Sequence, residues 1–376
     1  MFETLTYFQL QQYWWAIASL LGGILVFLLF VQGGQTLIGS IAKTKDERNL
    51  IINSLGRKWH FTFTTLVTFG GAMFAAFPLF YATSFGGAYW VWMLILFCFI
   101  IQAVSYEFRR KPNNFLGTKT FDTFLFINGS LGVVLLGAAV ATFFTGSQFS
   151  VSDYHLSHWE NHLKGIEAAF NIDNLSLGLA ILFLSRTLGA LYIINNINEE
   201  NILQRSFKQV KFNSVFFLIF FLFFASRLLT MDGFSYDPIT KIISVVSYKY
   251  LNNFLEMPVV LAIFLIGVVS VLSGIFITVF RKSKKGIWCA GGGTIFTVFA
   301  LLLVSGFNHT CFYPSTFDLQ SSLSIENASS SHYTLSAMSY VSLLIPFVLA
   351  YIFYAWKAMD KKSISTDELN HEDHSY

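Results

Sequence analysis

Nine stretches of this chain, roughly 14–42, 58–84, 87–108, 120–145, 174–195, 212–231, 256–280, 286–308 and 334–357, run for twenty residues or more with almost no charge. A helix needs about 20 mostly apolar residues to cross a hydrocarbon core ~30 Å thick. In that solvent every backbone N–H and C=O must be satisfied within the segment. The sequence therefore reads as an all-α, polytopic membrane protein of about nine transmembrane helices packed in bundles. The first stretch is overlong for the core at about 1.5 Å per residue, so it tilts or projects past the membrane. Composition supports this solvent: 54% of residues are hydrophobic, 43 are Phe and only 12% are charged, against about 25% charged in soluble domains. A net charge of +3 with no basic tract interleaved with aromatics points to no nucleic-acid partner.

Lysines and arginines alternate between the loops. One set of loops carries Lys43, Lys45, Arg48, Arg57 and Lys58, then Arg109, Arg110, Lys111 and Lys119, then Arg205, Lys208 and Lys211, then Arg281, Lys282, Lys284 and Lys285. Only Lys164, Lys241 and Lys249 fall clearly in the other set. The positive-inside rule then places the N-terminus outside and the C-terminus in the cytoplasm. The three long loops, about 146–173, 232–255 and 309–333, lie outside. Residues 1–359 read as one transmembrane helical domain and 360–376 as a polar cytoplasmic tail. The first twelve residues lack the basic start of a cleavable signal peptide.

Ionisable groups inside a bilayer are costly, and each is a functional candidate by default. His60, Glu107 and Asp122 share a depth at the cytoplasmic ends of their helices, and on neighbouring helices they would form a proton-accepting cluster, because imidazole titrates near neutrality. The alternative is that Glu107 and Asp122 pair with Arg109, Arg110 or Lys119 at the interface. Arg186, in FLSRTLG, lies too deep to reach water easily and needs a carboxylate, a carbonyl cage or water, with structural pairing as its expected role. Gln32 and Gln35 flank two glycines in QGGQ. Buried amides want partners and glycines let a neighbouring backbone approach, which reads as helix–helix glue.

Other motifs say less. His155, His158 and His162, in DYHLSHWENHLKG, fit one face of a helix lying on the outer leaflet, with convergence on zinc as the sharper and weaker reading. Cys98, Cys289 and Cys311 have no metal-ligand or disulfide-frame spacing. There is no P-loop, nucleophile elbow or HExxH, and no haem-ligand pattern.

Several segments together resemble subunit II of the cytochrome bd-type quinol oxidases: WWAIASLLGGILVFLLFVQGGQTLIG, NLIINSLGRKWHFTFTTLVTFGGAMFAAFPLFYATSFGGAY, VSYEFRRK, NNFLEMPVVLAIFLIGV and the run from FYPSTFDLQSS to YIFYAWK. The resemblance covers nearly the whole chain, most specifically in the second and last segments. Departures from it are local. His60 stands where relatives commonly have an aspartate after the tryptophan, Gln32 and Gln35 replace first-helix aspartates, and Gln102 replaces an arginine.

The resemblance implies a non-haem-ligating subunit in the bacterial inner membrane. Its partner, a haem-bearing subunit I, would hold haems b558, b595 and d and the quinol site, with a small single-span subunit as a further partner. The complex would oxidise membrane quinol and reduce O2 to water, taking protons from the cytoplasm. This chain would scaffold subunit I, conduct protons and hold a structural quinone or lipid. A stand-alone secondary transporter or channel is the competing class, but such proteins show broken helices around a midplane site, and here only Arg186 is plainly midplane.

Overall fold

The computed structural model describes residues 2–111 and 114–359; the polar tail expected over 360–376 lies outside the described residues. The helices in chain order are α1 (Tyr7–Leu28), α2 (Phe30–Ile41), α3 (Lys45–Gly56), α4 (Trp59–Ala76), α5 (Pro78–Tyr81), α6 (Tyr89–Phe108), α7 (Thr118–Ile127), α8 (Val133–Thr145), α9 (Ile172–Asn196), α10 (Glu200–Thr230), α11 (Lys249–Glu256), α12 (Pro258–Arg281), α13 (Gly286–Gly306), α14 (His332–Ser342) and α15 (Ile345–Met359). Every stretch expected to span is helical.

Among the described residues eight helical runs are long and apolar enough to cross a bilayer: Tyr7–Ile41, Tyr89–Phe108, Thr118–Thr145, Ile172–Asn196, Glu200–Thr230, Pro258–Arg281, Gly286–Gly306 and His332–Met359. The expected ninth, α4, is the difference. Its 18 residues include His60, Thr62, Thr64, Thr65, Thr68, Gly70 and Gly71, which dilute its apolar character. It ends at Phe77, because Pro78 has no N–H to continue the ladder.

The first run is 35 residues long, about 50 Å at helical rise, and it is interrupted at Leu29 between α1 and α2. A capping box starts it: Thr6 Oγ1 accepts from Gln9 N (3.2 Å) while Gln9 Oε1 accepts from Thr6 N (2.9 Å). At the interruption, Leu28 O accepts the Thr62 hydroxyl at 2.9 Å.

The segment 43–57, read from sequence as a loop, is mostly the helix α3. Thr44 and Glu47 form its capping box, and residues Leu50 to Gly56 are buried. Ser54 Oγ donates to Asn196 Oδ1 (2.7 Å) and Tyr192 OH to Ser54 O (3.1 Å), tying α3 to α9. Glu47 also holds Arg205 of α10 with both carboxylate oxygens. Those guanidinium donors keep the Glu47 carboxyl below the usual carboxylate range. Its contribution to stability is therefore complete above the ordinary carboxylate pKa and is lost as pH falls through the lower, folded value. Glu47→Gln should remove this acid limb from a melting-temperature-versus-pH curve and cost about 1 kcal/mol at neutral pH.

Close backbone approach sets the packing. A Cβ on Gly33 would lie 2.0 Å from the Ser185 carbonyl, and one on Gly189 would lie 2.4 Å from Gly34 N, so α2 and α9 cross in direct backbone contact. Gly267 and Gly274 of α12 meet α13 in the same way. One hydrophobic core runs from Phe2 to Trp356. Trp356 near the chain's end closes it, packing against Phe27, Phe30, Phe61 and Trp288, with the buried Lys58 ammonium 4.7 Å from its ring.

Two hairpins modify the all-α reading. Strand β1 (Phe149–Val151) pairs antiparallel with β2 (Ser157–Trp159), and β3 (Gly233–Tyr236) with β4 (Ile243–Val246). The histidine-rich segment is thus not the interfacial helix expected from its spacing. His155 sits in a turn at φ 57°, His158 pairs with Ser150 in the hairpin, and His162 follows in the next turn. The histidines and the apolar Leu156, Trp159 and Leu163 all stand at helical spacing, but pairing of Ser157–Trp159 with Phe149–Val151 takes the backbone into a hairpin instead. Among the described residues no three His, Cys, Asp or Glu side chains converge as metal ligands.

Candidate functional site

α2, α6 and α7 meet around a group of amides. Gln32 and Gln35 of α2 are 0% and 2% exposed, Gln102 of α6 0%, and Asn128, where α7 ends, 0%. Here the helix takes a π-helical turn, Asn128–Gly132, before continuing as α8. Gly129 makes the approach possible, since a Cβ there would lie 2.2 Å from Gln32 O. π-turns of this kind recur at functional sites.

The amides are only partly paired. Gln32 Nε2 donates to Gln102 Oε1 at 3.3 Å, and Gln35 Nε2 to Tyr106 OH at 3.0 Å. Gln32 Oε1, Gln35 Oε1, Gln102 Nε2 and both polar atoms of Asn128 are buried with no partner in the chain. Each such atom costs about 1–3 kcal/mol when left unsatisfied. Asn128 carried no weight in the sequence reading. Its signal was an uncharged polar residue followed by glycine inside an apolar run.

Toward the rim where α3 meets α6 and α7 lies a charged cluster. Asp122 of α7 accepts from Arg109 Nε at 2.7 Å and Arg48 Nη1 at 2.8 Å, and Arg109 Nη1 reaches Asn49 Oδ1 at 2.9 Å. The Arg109 side chain is 3% exposed and that of Asp122 13%. This is the pairing with Arg109 weighed from sequence, with Arg48 of α3 as the unforeseen second partner. A cleft of about 360 Å³ opens beside the cluster, bounded by Arg48, Lys119, Asp122 and Thr123 and reaching Gln35.

His60 and Glu107 lie elsewhere. Both are exposed, on α4 and α6, and Glu107 is the charged group that acts on the His60 imidazole. The His60 ring lies against Trp59 (3.8 Å between centroids), which in turn stacks on Tyr106 at 5.8 Å. The structure thus places His60 and Glu107 on one exposed surface, beside the stacked Trp59 and Tyr106, and Asp122 in a separate ion pair. Along that surface Val67, Gly71, Phe74, Met93 and Leu96 line a shallow apolar groove, and a Cβ on Gly71 would touch nothing in the chain.

Arg186 is half-buried in α9. Its Nε has no partner in the chain, and its guanidinium lies 5.9 Å from the Phe183 ring. Deeper in the bundle is an apolar cavity of about 70 Å³, walled by Val26, Phe144, Leu184, Phe217, Val271 and Leu301. Its two threonines, Thr294 and Thr297, donate to their own helix at Ala290 O and Gly293 O, so the wall presents no free polar group. Cys98 and Cys311 are buried and Cys289 exposed. Burial pushes the Cys311 thiol up to about 12.

Comparison with known proteins agrees with this arrangement. The family described as cytochrome bd terminal oxidase subunit II matches residues 10–359. The cytochrome bd-I ubiquinol oxidase subunit 2 of Escherichia coli (strain K12) is 26% identical over 379 residues, covering 96% of this chain and 97% of that protein. The cytochrome bd ubiquinol oxidase subunit 2 of Bacillus subtilis (strain 168) is 25% identical over 362 residues, covering 94% and 96%. The fold matches a chain in the structure of bd oxidase from Geobacillus thermodenitrificans with a TM-score of 0.57 at 11% identity, over 94% of this chain and 96% of that one. Matched by that family over residues 10–359, the chain belongs to the cytochrome bd terminal oxidase subunit II family.

Proposed function

We propose that this chain is the haem-free half of a quinol:O2 oxidoreductase in the bacterial inner membrane. In this reading it scaffolds a subunit I that holds haems b558, b595 and d and the quinol site, and it helps deliver cytoplasmic protons to O2 reduction. The observation that carries the reading is the family match over residues 10–359. The family implies haem in the complex, but the residues here do not fit a haem: the enclosed cavity is walled by aliphatic, phenyl and threonine side chains, with no His, Met or Cys among them. That cavity suits an apolar chain instead, such as a quinone tail or a lipid acyl group. A small single-span subunit is a further partner of the proposed complex.

Orientation follows from charge. Arg48, Arg109, Arg205 and Lys284 gather where α3 meets the ends of α6, α9 and α10, with Lys284 Nζ bonded to Asn198 Oδ1 at 2.8 Å. The positive-inside rule assigns that end to the cytoplasm, with the N-terminus outside.

The α4–α6 surface is the docking face for subunit I in this reading. Lipid solvates poorly an exposed His60–Glu107 pair and the exposed hydroxyls of Thr64 and Thr68, and the open side of Gly71 admits a partner helix closely. His60 and Glu107 then sit at the subunit boundary, where a titratable pair can hand protons across. The buried Asp122 ion pair anchors the adjoining entrance.

The test uses the whole complex. A tag on this chain should co-purify visible-range haem absorbance. His60→Phe should keep that absorbance, since the side chain is exposed, while lowering O2 consumption and proton uptake by about tenfold. Purification without haem would refute the subunit assignment, and unchanged turnover in both His60→Phe and Asp122→Asn would move the proton route to subunit I.

A further inference from the structure

The partnerless polar atoms near α2 sit on touching helices: Gln32 bonds Gln102, Gln35 is one turn on, and Asn128 adjoins the Gly129 that meets Gln32 O. Gln32 Oε1, Gln35 Oε1 and Asn128 Oδ1 are acceptors, and Gln102 Nε2 and Asn128 Nδ2 are donors. Turning the paired Gln32 and Gln102 amides over together exchanges the orphans without filling them. By helical rise Gln35 and Gln102 lie ~9 Å inside the ends of α2 and α6, Gln32 ~14 Å inside α2, and Asn128 ~15 Å from the start of α7, so the group runs inward as a short column. Its outer end meets the cleft beside Asp122, because Gln35 lines both.

We propose that Gln32, Gln35, Gln102 and Asn128 hold a file of bound water leading from the Asp122 cleft into the bundle. The ligand must be small, neutral, and both donor and acceptor, because the orphans include both kinds and the amides carry no charge. A monovalent cation fits less well: it would use the three oxygens but leave the two nitrogens unmatched, with no carboxylate within the column. Water satisfies both kinds at once and typically makes about three hydrogen bonds when buried. A file between neutral amides can reorient in either direction, so it can relay a proton without an ionised side chain along its length. That relay role rests on the proton-uptake reading above; the water site does not.

The experiment is radiolytic hydroxyl-radical labelling of the intact oxidase complex, in which bound water oxidises the side chains beside it. Tyr106 bonds Gln35, and Cys98 and Asn128 Nδ2 flank the same side of Gly132, at 3.0 and 3.6 Å from the position of a Cβ there. Both reporters are 3% exposed; Tyr192 (1%) and Tyr250 (0%), whose hydroxyls already donate to Ser54 O and Phe144 O, are the controls. Tyr106 should label at least tenfold faster than Tyr192 and Tyr250, and the labelling of both Tyr106 and Cys98 should vanish in a Gln32→Leu/Gln102→Leu double variant that keeps its haem absorbance. Equal labelling of reporters and controls in the unmodified complex overturns the proposal. So does labelling that persists in the double variant, or labelling suppressed by added sodium or potassium, which would assign the site to a cation. If the excess labelling is present and is lost in the double variant while proton uptake there stays normal, the water site stands and the relay role falls.

Discussion

Gly33→Val is expected to abolish accumulation of the assembled oxidase, with the haem absorbance that co-purifies with a tagged chain falling at least tenfold. The cause is geometric. A Cβ at residue 33 would stand 2.0 Å from the carbonyl carbon and oxygen of Ser185 and 2.4 Å from Arg186 N. Carbon atoms in contact sit at about 3.5–4.0 Å, so α2 and α9 would have to separate by about 1.5 Å. No rotamer change relieves the clash, because the obstacle is backbone. The separation would also open the Gly34–Gly189 contact one turn away, where a Cβ on Gly189 meets Gly34 N and Phe30 O. Overpacking of a tight core costs about 1–3 kcal/mol where side chains can yield; here they cannot, and the cost should exceed that range. Gly71→Leu is the contrast. Nothing in the chain lies near Gly71, so the subunit should still insert, while subunit I, if it docks on the α4–α6 face, should be lost from the preparation.

Asp122→Ala is expected to destabilise the complex by about 3 kcal/mol, read as a lowered melting temperature or lower yield, because it strands the Arg109 guanidinium in a site only 3% exposed. Arg48 loses its acid in the same change. Asp122→Leu combined with Arg109→Met should recover most of the stability, since a buried pair replaced by apolar groups of similar volume is often neutral. O2 consumption in the double variant then isolates function from folding. Recovered stability with low turnover would mark Asp122 as part of the proton entrance. Recovered stability with normal turnover would leave it an anchor for α3, α6 and α7.

What was legible in the sequence tracks how local its cause is. Long uncharged runs announce their helices, because a bilayer-spanning segment must satisfy its own backbone. The partial exception, α4, also has a local cause, the histidine and threonines of its first turns. The helix α3 could have been read from Thr44 and Glu47 at capping-box spacing before the apolar run NLIINSL; its charged start hid a buried end. The segment around His155 misled because a spacing of three and four fits a helix wherever it occurs, while the hairpin there is set by a turn at His155 and by the pairing of Phe149 with Trp159. The amide group was least legible. Gln32, Gln102 and Asn128 are far apart in sequence and become one site only because Gly129 lets two helices touch.

Both ends of the bundle carry ion pairs, Arg227–Asp173 and Lys241–Glu326 at the loop-covered end among them, but that end adds a second kind of fastening. At the loop-covered end, main-chain hydrogen bonds join distant segments: Ser147 N to Pro314 O and Thr316 N to Ser147 O at 2.9 Å, Tyr236 N to His309 O at 3.0 Å, Cys311 N to Phe234 O at 2.9 Å and Ser330 N to Ala76 O at 2.8 Å. At the opposite end, the Glu47–Arg205 and Arg48–Asp122–Arg109 contacts are made by side chains alone. Backbone lacing resists both salt and rotamer change, whereas ion pairs at a rim weaken as ionic strength rises. The bundle is therefore mechanically polar, clamped at one mouth and compliant at the other. Raised ionic strength should therefore loosen the end where the Asp122 cleft opens before it loosens the laced end.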